Sequence, residues 1–182
     1  MAAACAAPAD YTSEITAWRA ERDQFMRGST ESPVPAAERA NFPPLPYYPV
    51  DEQYRVPAAL TLDRGTEIIE LGTSTGVPRQ MRRIGALRFT LKGEALTLTA
   101  FADLDDAQLR RLFVPFGDLT NGSETYYGGR YLDLERTGSG VYDLDFNRAY
   151  SPFCVFDERY ECPVPPQENR LKVAIMAGEK MR

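Results

Sequence analysis

Residues 87–100 read LRFTLKGEALTLTA. Leu87, Phe89 and Leu91 alternate with polar residues, and Leu96, Leu98 and Ala100 do the same. Successive side chains of a strand point to opposite faces, so each run has one apolar and one polar face. Lys92 to Ala95, with Gly93 among them, supplies the turn between the runs, and the stretch reads as a β-hairpin. Outward from it the period stays at two. Glu67 to Leu71 is a short strand, and Leu171, Val173 and Ile175 mark a final one. Tyr131 to Glu135 and Val141 to Phe146 form a second hairpin around Arg136-Thr137-Gly138-Ser139-Gly140. Asp105 to Arg111 fits a short helical turn. Many short strands with turns between them predict a mainly β (α+β) fold, an antiparallel barrel-like or sandwich domain.

The N-terminal third breaks this period. Tyr11, Ile15, Trp18 and Phe25 are spaced by four, three and seven residues, which makes one apolar stripe on a helix over 10–28. Asp10 or Ser13 caps its start, and Gly28 ends it. Docking on the main body is the ordinary fate of such a stripe, and binding a partner is the sharper reading. Residues 32–57 carry seven prolines with Phe42, Leu45, Tyr47, Tyr48 and Tyr54 between them. Proline removes a backbone donor, so this segment reads as an extended strap anchored by its aromatics. A polyproline ligand for a partner domain is the alternative. The expected organisation is a disordered N-terminus over 1–9 and one domain over 10–182. That domain divides into the helix, the strap and a β-rich core over 58–182.

The totals exclude several classes. With 182 residues the chain is long enough for one real core. A net charge of −5 argues against a nucleic-acid partner, which requires a basic field. No apolar run reaches membrane-spanning length, so no membrane partner is expected. The start MAAACAAPAD lacks a positive n-region and a long apolar stretch, which points to the cytoplasm. The chain has no histidine. Ser-His-Asp and Cys-His catalysis and the HExxH metal site are therefore excluded. Acid–base work falls to carboxylates, phenols, lysine or thiols.

The second hairpin places Asp133, Glu135, Asp143 and Asp145 on the face opposite Leu132, Leu134, Tyr142, Leu144 and Phe146. Carboxylates so close repel one another unless they are solvated, paired or bound to a cation. Three readings follow: a solvated outer face, a polar cavity shared with Arg82, Arg83, Arg88 and Lys92, or a hard-cation site. Cys154 and Cys162 lie eight apart between Pro152 and Pro163. They read as buried free thiols, a redox-sensitive pair, or a nucleophile that Arg148 or Arg159 would activate. No zinc pattern is complete, no calcium loop is present, and neither a metal nor a cofactor is expected. Gly72-Thr73-Ser74-Thr75-Gly76 and Asp118-Leu119-Thr120-Asn121-Gly122 read as turns, and Asn147 and Asn169 as loop braces.

One combination of residues is specific. It comprises Trp18-Arg19-Ala20-Glu21-Arg22, Tyr47-Tyr48-Pro49, Phe113-Val114-Pro115-Phe116, Glu124-Thr125-Tyr126 and Gly129-Arg130-Tyr131-Leu132. It continues through Asp145-Phe146-Asn147-Arg148-Ala149-Tyr150, Cys154, Cys162-Pro163-Val164-Pro165-Pro166, Glu168-Asn169-Arg170-Leu171 and Ala177-Gly178-Glu179-Lys180. In these residues the chain resembles DUF1684, a family of uncharacterised bacterial and archaeal proteins. It departs at Ser151-Pro152, where the family pattern has Asn-Pro, and at Val164, where it has leucine. The resemblance implies membership and no activity.

The leading expectation is a small-molecule-binding protein for an anionic ligand, with Tyr126, Arg130, Asp145, Asn147 and Tyr150 lining the site. Arginine would hold the anion by paired hydrogen bonds, and the amide and phenols would orient it. The alternatives are an enzyme with Asp145 and Cys154 as candidate catalytic residues, and a protein-interaction module using the helix and strap.

Overall fold

The structure, a computed structural model, describes residues 10–181. The expected disordered segment 1–9 lies outside them, as does Cys5. One helix, α1 (Tyr11–Gly28), precedes six strands: β1 (Arg55–Leu71), β2 (Arg79–Leu91), β3 (Glu94–Ala102), β4 (Arg111–Phe116), β5 (Arg130–Glu135) and β6 (Val141–Asp145). All pair antiparallel in the order β5-β4-β3-β2-β1-β6, a nearly closed, barrel-like sheet.

The hairpin at residues 87–100 forms as read. Lys92 and Gly93 have φ of 49° and 87°, the left-handed pair that a tight two-residue turn requires. Leu87, Phe89 and Leu91 face inward with Leu98 and Ala100. Register shifts between Leu62 and Glu67 on β1, and between Arg83 and Gly85 on β2, bend these long strands and curl the sheet. The barrel interior is filled by side chains, among them Leu112, Val114, Phe116, Leu132, Leu134, Leu144 and Phe146.

Four expectations are corrected. Tyr131–Glu135 and Val141–Phe146 do not pair with each other; β5 pairs with β4 and β6 with β1, at opposite edges of the sheet. Their connecting turn spans the seam of the barrel instead of closing a hairpin. The inside–outside alternation survives because strand period does not depend on the partner. The short strand read at Glu67–Leu71 is the end of the long β1, which begins at Arg55 within the last residues of the expected strap, and β4 is an additional strand. Residues 105–110 form turns without a helix; the Asp106 carboxylate accepts the Arg111 amide at 3.1 Å, which ends the turn at the start of β4.

The fourth correction concerns the tail. Leu171 and Ile175 are buried and their neighbours Lys172 and Met176 exposed, yet residues 171–177 form no strand ladder. A side chain replaces the missing strand. Arg130 Nη2 donates to Ile175 O at 2.8 Å, and Nη1 donates to Ala177 O and to Glu179 O at 3.2 Å. Nη2 also donates to Asp118 Oδ2 at 2.9 Å, in an ion pair whose side chains are both fully buried. The other oxygen, Asp118 Oδ1, accepts from Thr120 N, Thr120 Oγ1 and Ile175 N. Gly178 has φ of 78°, and a Cβ there would lie 2.7 Å from the carbonyl oxygens of Phe146 and Ala149, so only glycine lets the tail lie this close.

Helix α1 docks through its predicted stripe, with Ile15 fully buried and Asp10 capping Ser13 N at 3.0 Å. The strap runs between α1 and the tail. Asp23 accepts Leu45 N, and Pro46 O accepts Lys180 N.

Arg130→Ala leaves Asp118 and the tail carbonyls unpaired in the core. It is expected to cost about 3–5 kcal/mol in denaturant unfolding. Arg130→Lys should recover little of this, because one ammonium cannot reproduce the two-pronged fork; full recovery would mean that charge alone suffices.

Candidate functional site

Period two turns Met81 of β2, Phe113 of β4, and Tyr131 and Asp133 of β5 away from the barrel interior. In most barrels such residues meet water. Here the chain after β6 folds back over them. Tyr150 exchanges backbone hydrogen bonds with Tyr131, 2.9 and 3.1 Å long, and the segment then continues through Phe153 to Pro163. The Gly72–Gly76 turn clamps the far end. Ser74 N donates to Cys162 O at 2.9 Å, and Ser74 Oγ accepts Cys162 N at 3.1 Å. That turn serves the fold: besides the Ser74 amide, the Gly76 amide donates to Thr73 O at 3.1 Å.

Between this outer segment and the sheet lies a cavity of ≈ 300 Å³. Its apolar walls are Met81, Phe113, Tyr131, Phe153 and Tyr160. Phe113 and Tyr131 meet edge-on with centroids 4.7 Å apart, and Tyr131 meets Tyr150 edge-on at 5.8 Å. Arg79, Arg111, Asp103, Asp106, Asp133 and Glu161 supply the charge. Arg79 is paired with Asp103 at 2.6 Å. Arg111 stands 3.9 Å from Asp133. The acids outnumber the arginines, so the wall is net acidic.

Asp133 is the distinctive group. Burial pushes its carboxyl above the usual aspartate range, opposed by the Tyr150 hydroxyl, which donates to Oδ2 at 2.8 Å, and by Arg111 and Arg22. Tyr150 is itself raised by burial and by Asp133, and the Arg22 guanidinium lies 4.6 Å from its ring centroid. Asp133 and Tyr150 also line a neighbouring cleft with Trp18, Arg22 and Arg148. The site therefore opens along the seam between β5 and α1.

The two thiols stand in the same wall. Cys162 lines the cavity, and Cys154 lines a groove behind it with Tyr126, Ser74 and Phe156. Cys154 N donates to Cys162 Sγ at 3.0 Å, and the Tyr126 hydroxyl lies 3.8 Å from Cys154 Sγ. Hydrogen bonds from the Cys162 thiol, Tyr126 and Ser74 outweigh burial and lower Cys154 to about 6. The Cys162 thiol is pushed up by holding the shared proton and by burial.

The sequence-predicted residues occupy four places. Tyr126 and Cys154 meet at the thiol groove. Tyr150 lines the cavity. Arg130 sits inside the fold, with both terminal nitrogens engaged. Asp145 and Asn147 meet beneath α1. There Tyr11 donates to Asp145 Oδ1 at 2.8 Å, and Asn147 Nδ2 donates to the Tyr11 hydroxyl at 2.8 Å and to Asp51 O at 2.9 Å. This cluster fastens helix and strap to the barrel. Asn169 is likewise a brace, bonded to Thr99 and Pro115. Of the carboxylates on the outer face, Asp143 pairs with Arg55 at 2.7 Å, Asp133 joins the cavity, and α1 covers Asp145. Sequence reasoning placed Asp133 on the outer face, with a polar cavity or a cation site among its readings, and it named neither Phe113 nor Arg111 as a site residue. Strand parity marks them as outward; the returning segment half-buries Phe113, while Arg111 and Asp133 stay exposed at the rim of the cavity.

Among the described residues, no helix is long and apolar enough to cross a membrane. Among the same residues, no three histidine, cysteine, aspartate or glutamate side chains are placed to hold a metal ion. The model for the family described as a protein of unknown function, DUF1684, matches residues 40–180. An uncharacterized protein of Haloarcula marismortui, solved by solution NMR, is 39% identical with a TM-score of 0.74; the match covers 94% of this chain and 95% of that one. No curated protein matches the chain.

Tyr150→Phe removes the donor that holds the Asp133 carboxyl down. NMR titration should find that carboxyl losing its proton at still higher pH. Because its folded value is raised, its contribution to stability is present at low pH and is lost as pH rises through the Asp133 midpoint. Asp133→Asn should abolish that part of the pH dependence, seen as a flatter stability profile above the ordinary aspartate range.

Proposed function

The chain belongs to the DUF1684 family, and from that premise we propose that it is a small-molecule-binding protein whose ligand sits outside the barrel. The observation that supports this is the aromatic-walled cavity of ≈ 300 Å³, with Asp133, Tyr150 and Arg111 converging on it. Its volume is at the lower end of ligand pockets, which suits a single-ring compound. The barrel interior is packed with side chains.

An anionic ligand was the expectation attached to Arg130, but that guanidinium already bonds Asp118 and the tail carbonyls. Arg79 and Arg111 stand beside carboxylates. The unbalanced charge of the wall is negative. It favours an aryl ligand that carries an ammonium or several hydrogen-bond donors, its ring held among Phe113, Tyr131 and Phe153. A reducing cytoplasm, the expected location, is where two neighbouring thiols such as Cys154 and Cys162 stay reduced.

The enzyme reading keeps one specific support. Asp133 is a carboxyl shifted upward in a cavity and hydrogen-bonded to a phenol, the environment in which acid–base catalysis is found.

The test is a thermal-shift and calorimetric comparison of aryl amines with aryl carboxylates of matched size. A bound amine at a hundredfold excess over its Kd should stabilise the protein by about 2.7 kcal/mol. Asp133→Asn and Phe113→Ala should each weaken it at least about tenfold, the equivalent of ~1.4 kcal/mol. Stabilisation by carboxylates alone would reverse the charge assignment. Stabilisation by neither class, or amine binding unchanged in both variants, would remove the proposal.

A further inference from the structure

We propose that Cys154 and Cys162 are a reversible redox pair, in which Cys154 is the thiolate oxidised by a peroxide and Cys162 the thiol that resolves it to a disulfide. This rests on the thiol geometry alone and is independent of the ligand reading above.

The two sulfurs are neighbours by construction. Phe153–Val155 forms a short 3-10 turn after Pro152, and its Cys154 amide donates to Cys162 Sγ at 3.0 Å. On the other side, the Ser74 turn fixes Cys162 through both its amide and its carbonyl. The loop between them is pinned locally, with Tyr160 N donating to Asp157 O. The thiols are thus held together from both ends while no bond joins them.

Their surroundings divide the roles. Cys154, 9% exposed, lines the groove with Tyr126, Phe156 and Ser74, and Cys162, 7% exposed, lines the cavity, so hydrogen bonding rather than exposure separates them. The Cys162 thiol and the Tyr126 hydroxyl, which lies 3.8 Å from Cys154 Sγ, stabilise a negative sulfur at Cys154 and hold it below the usual thiol range. The other titratable groups near the pair are the phenols Tyr131, Tyr150 and Tyr160, with Asp157 and Glu158 on the groove of Cys154 and Glu161 on the cavity wall beside Cys162; burial and the neighbouring thiols push Tyr131 up. Arg148 and Arg159 do not carry the activation. Arg148 pairs with Glu14 and Asp145, and Arg159 with Asp157. A thiolate beside a resolving thiol is the arrangement that peroxide-sensing cysteines use.

The chemistry closes. Cys154 Sγ attacks one peroxide oxygen, the O–O bond breaks, and the departing hydroxide takes up a proton to become water. Sulfur is oxidised by two electrons, peroxide is reduced, and Cys154 becomes a sulfenic acid. Cys162 Sγ then attacks Cys154 Sγ; the hydroxyl leaves as a second water with the Cys162 proton. Two thiols and one hydrogen peroxide give one disulfide and two waters, and a cellular dithiol reverses the step by exchange.

The experiment treats the full-length reduced protein with equimolar hydrogen peroxide and maps tryptic peptides. Cleavage at Arg159 separates the cysteines, so a disulfide links peptides 149–159 and 160–170, while Cys5 lies in another peptide. The expected result is that linked pair, reversed by dithiothreitol. Cys162→Ser should trap a dimedone-reactive sulfenic acid at Cys154, and Cys154→Ser should leave Cys162 unoxidised. With wild type alone, iodoacetamide alkylation of Cys154 should change little between pH 7 and 9, whereas an ordinary thiol speeds up on the order of twentyfold. Peroxide consumption without the linked pair, first oxidation at Cys162 or Cys5, or an ordinary pH profile at Cys154 would overturn the proposal.

Discussion

The guanidinium of Arg130 is the constraint on which the rest of the structure depends. It projects from the first residue of β5 into the interior, where it is fully buried, and there it holds Asp118 and the carbonyls of Ile175, Ala177 and Glu179. A buried ion pair is not in itself a source of stability, because desolvation offsets its attraction. Its value here is positional. A tail that lacks a neighbouring strand still has backbone carbonyls to satisfy, and burying them unpaired is costly. Arg130 supplies the missing donors, and Asp118 orients the fork while accepting the Ile175 amide. The tail in turn holds the strap through Tyr48 N and Lys180 N, and it holds α1 through the Arg22–Glu179 pair at 3.2 Å.

From that arrangement the outer wall follows. Once the tail and strap are seated, the segment from Tyr150 to Pro163 must cross the outward faces of β5, β4 and β2. It does so as a bridge pinned at Tyr131 and at the Ser74 turn, and it leaves a gap beneath it. The gap is lined by residues that strand parity would otherwise give to solvent. Hence an aspartate sits there with its carboxyl shifted upward, and hence two thiols share one wall. The barrel interior is filled by side chains, and the proposed ligand site belongs to this second layer.

The sequence carried the local part of this picture well. Alternation at Leu87–Leu91 and Leu96–Ala100 marked the central hairpin, and the Tyr11–Phe25 stripe marked α1. The inward–outward sorting of Leu132, Asp133, Leu134 and Glu135 was right although their pairing partner was not. Alternation reports which way a side chain points, and it says nothing about which strand lies alongside. For the same reason the alternating tail Leu171–Ile175 read as a strand; burial on one side produces that pattern whether the carbonyls bond a ladder or an arginine. The adjacent segments β5 and β6 read as a hairpin because proximity in sequence is the default, whereas closing a barrel places them at opposite edges.

The candidate residues divide along the same line. From sequence, Arg130, Asp145 and Asn147 are polar groups in a dense block of turn residues, and a ligand is one way to satisfy them. The fold satisfies them with itself: a tail, a helix and a strap that are 45, 134 and 96 residues away in the chain. Residue content and patterning alone determined that acid–base chemistry here falls to carboxylates, phenols, lysine or thiols, because no histidine is present, and that the core is built of alternating strands. Tertiary structure alone decided which of those groups are spent on holding the fold and which face a cavity. Hydrogen-bond satisfaction depends on partners brought from distant positions, and no local pattern encodes them.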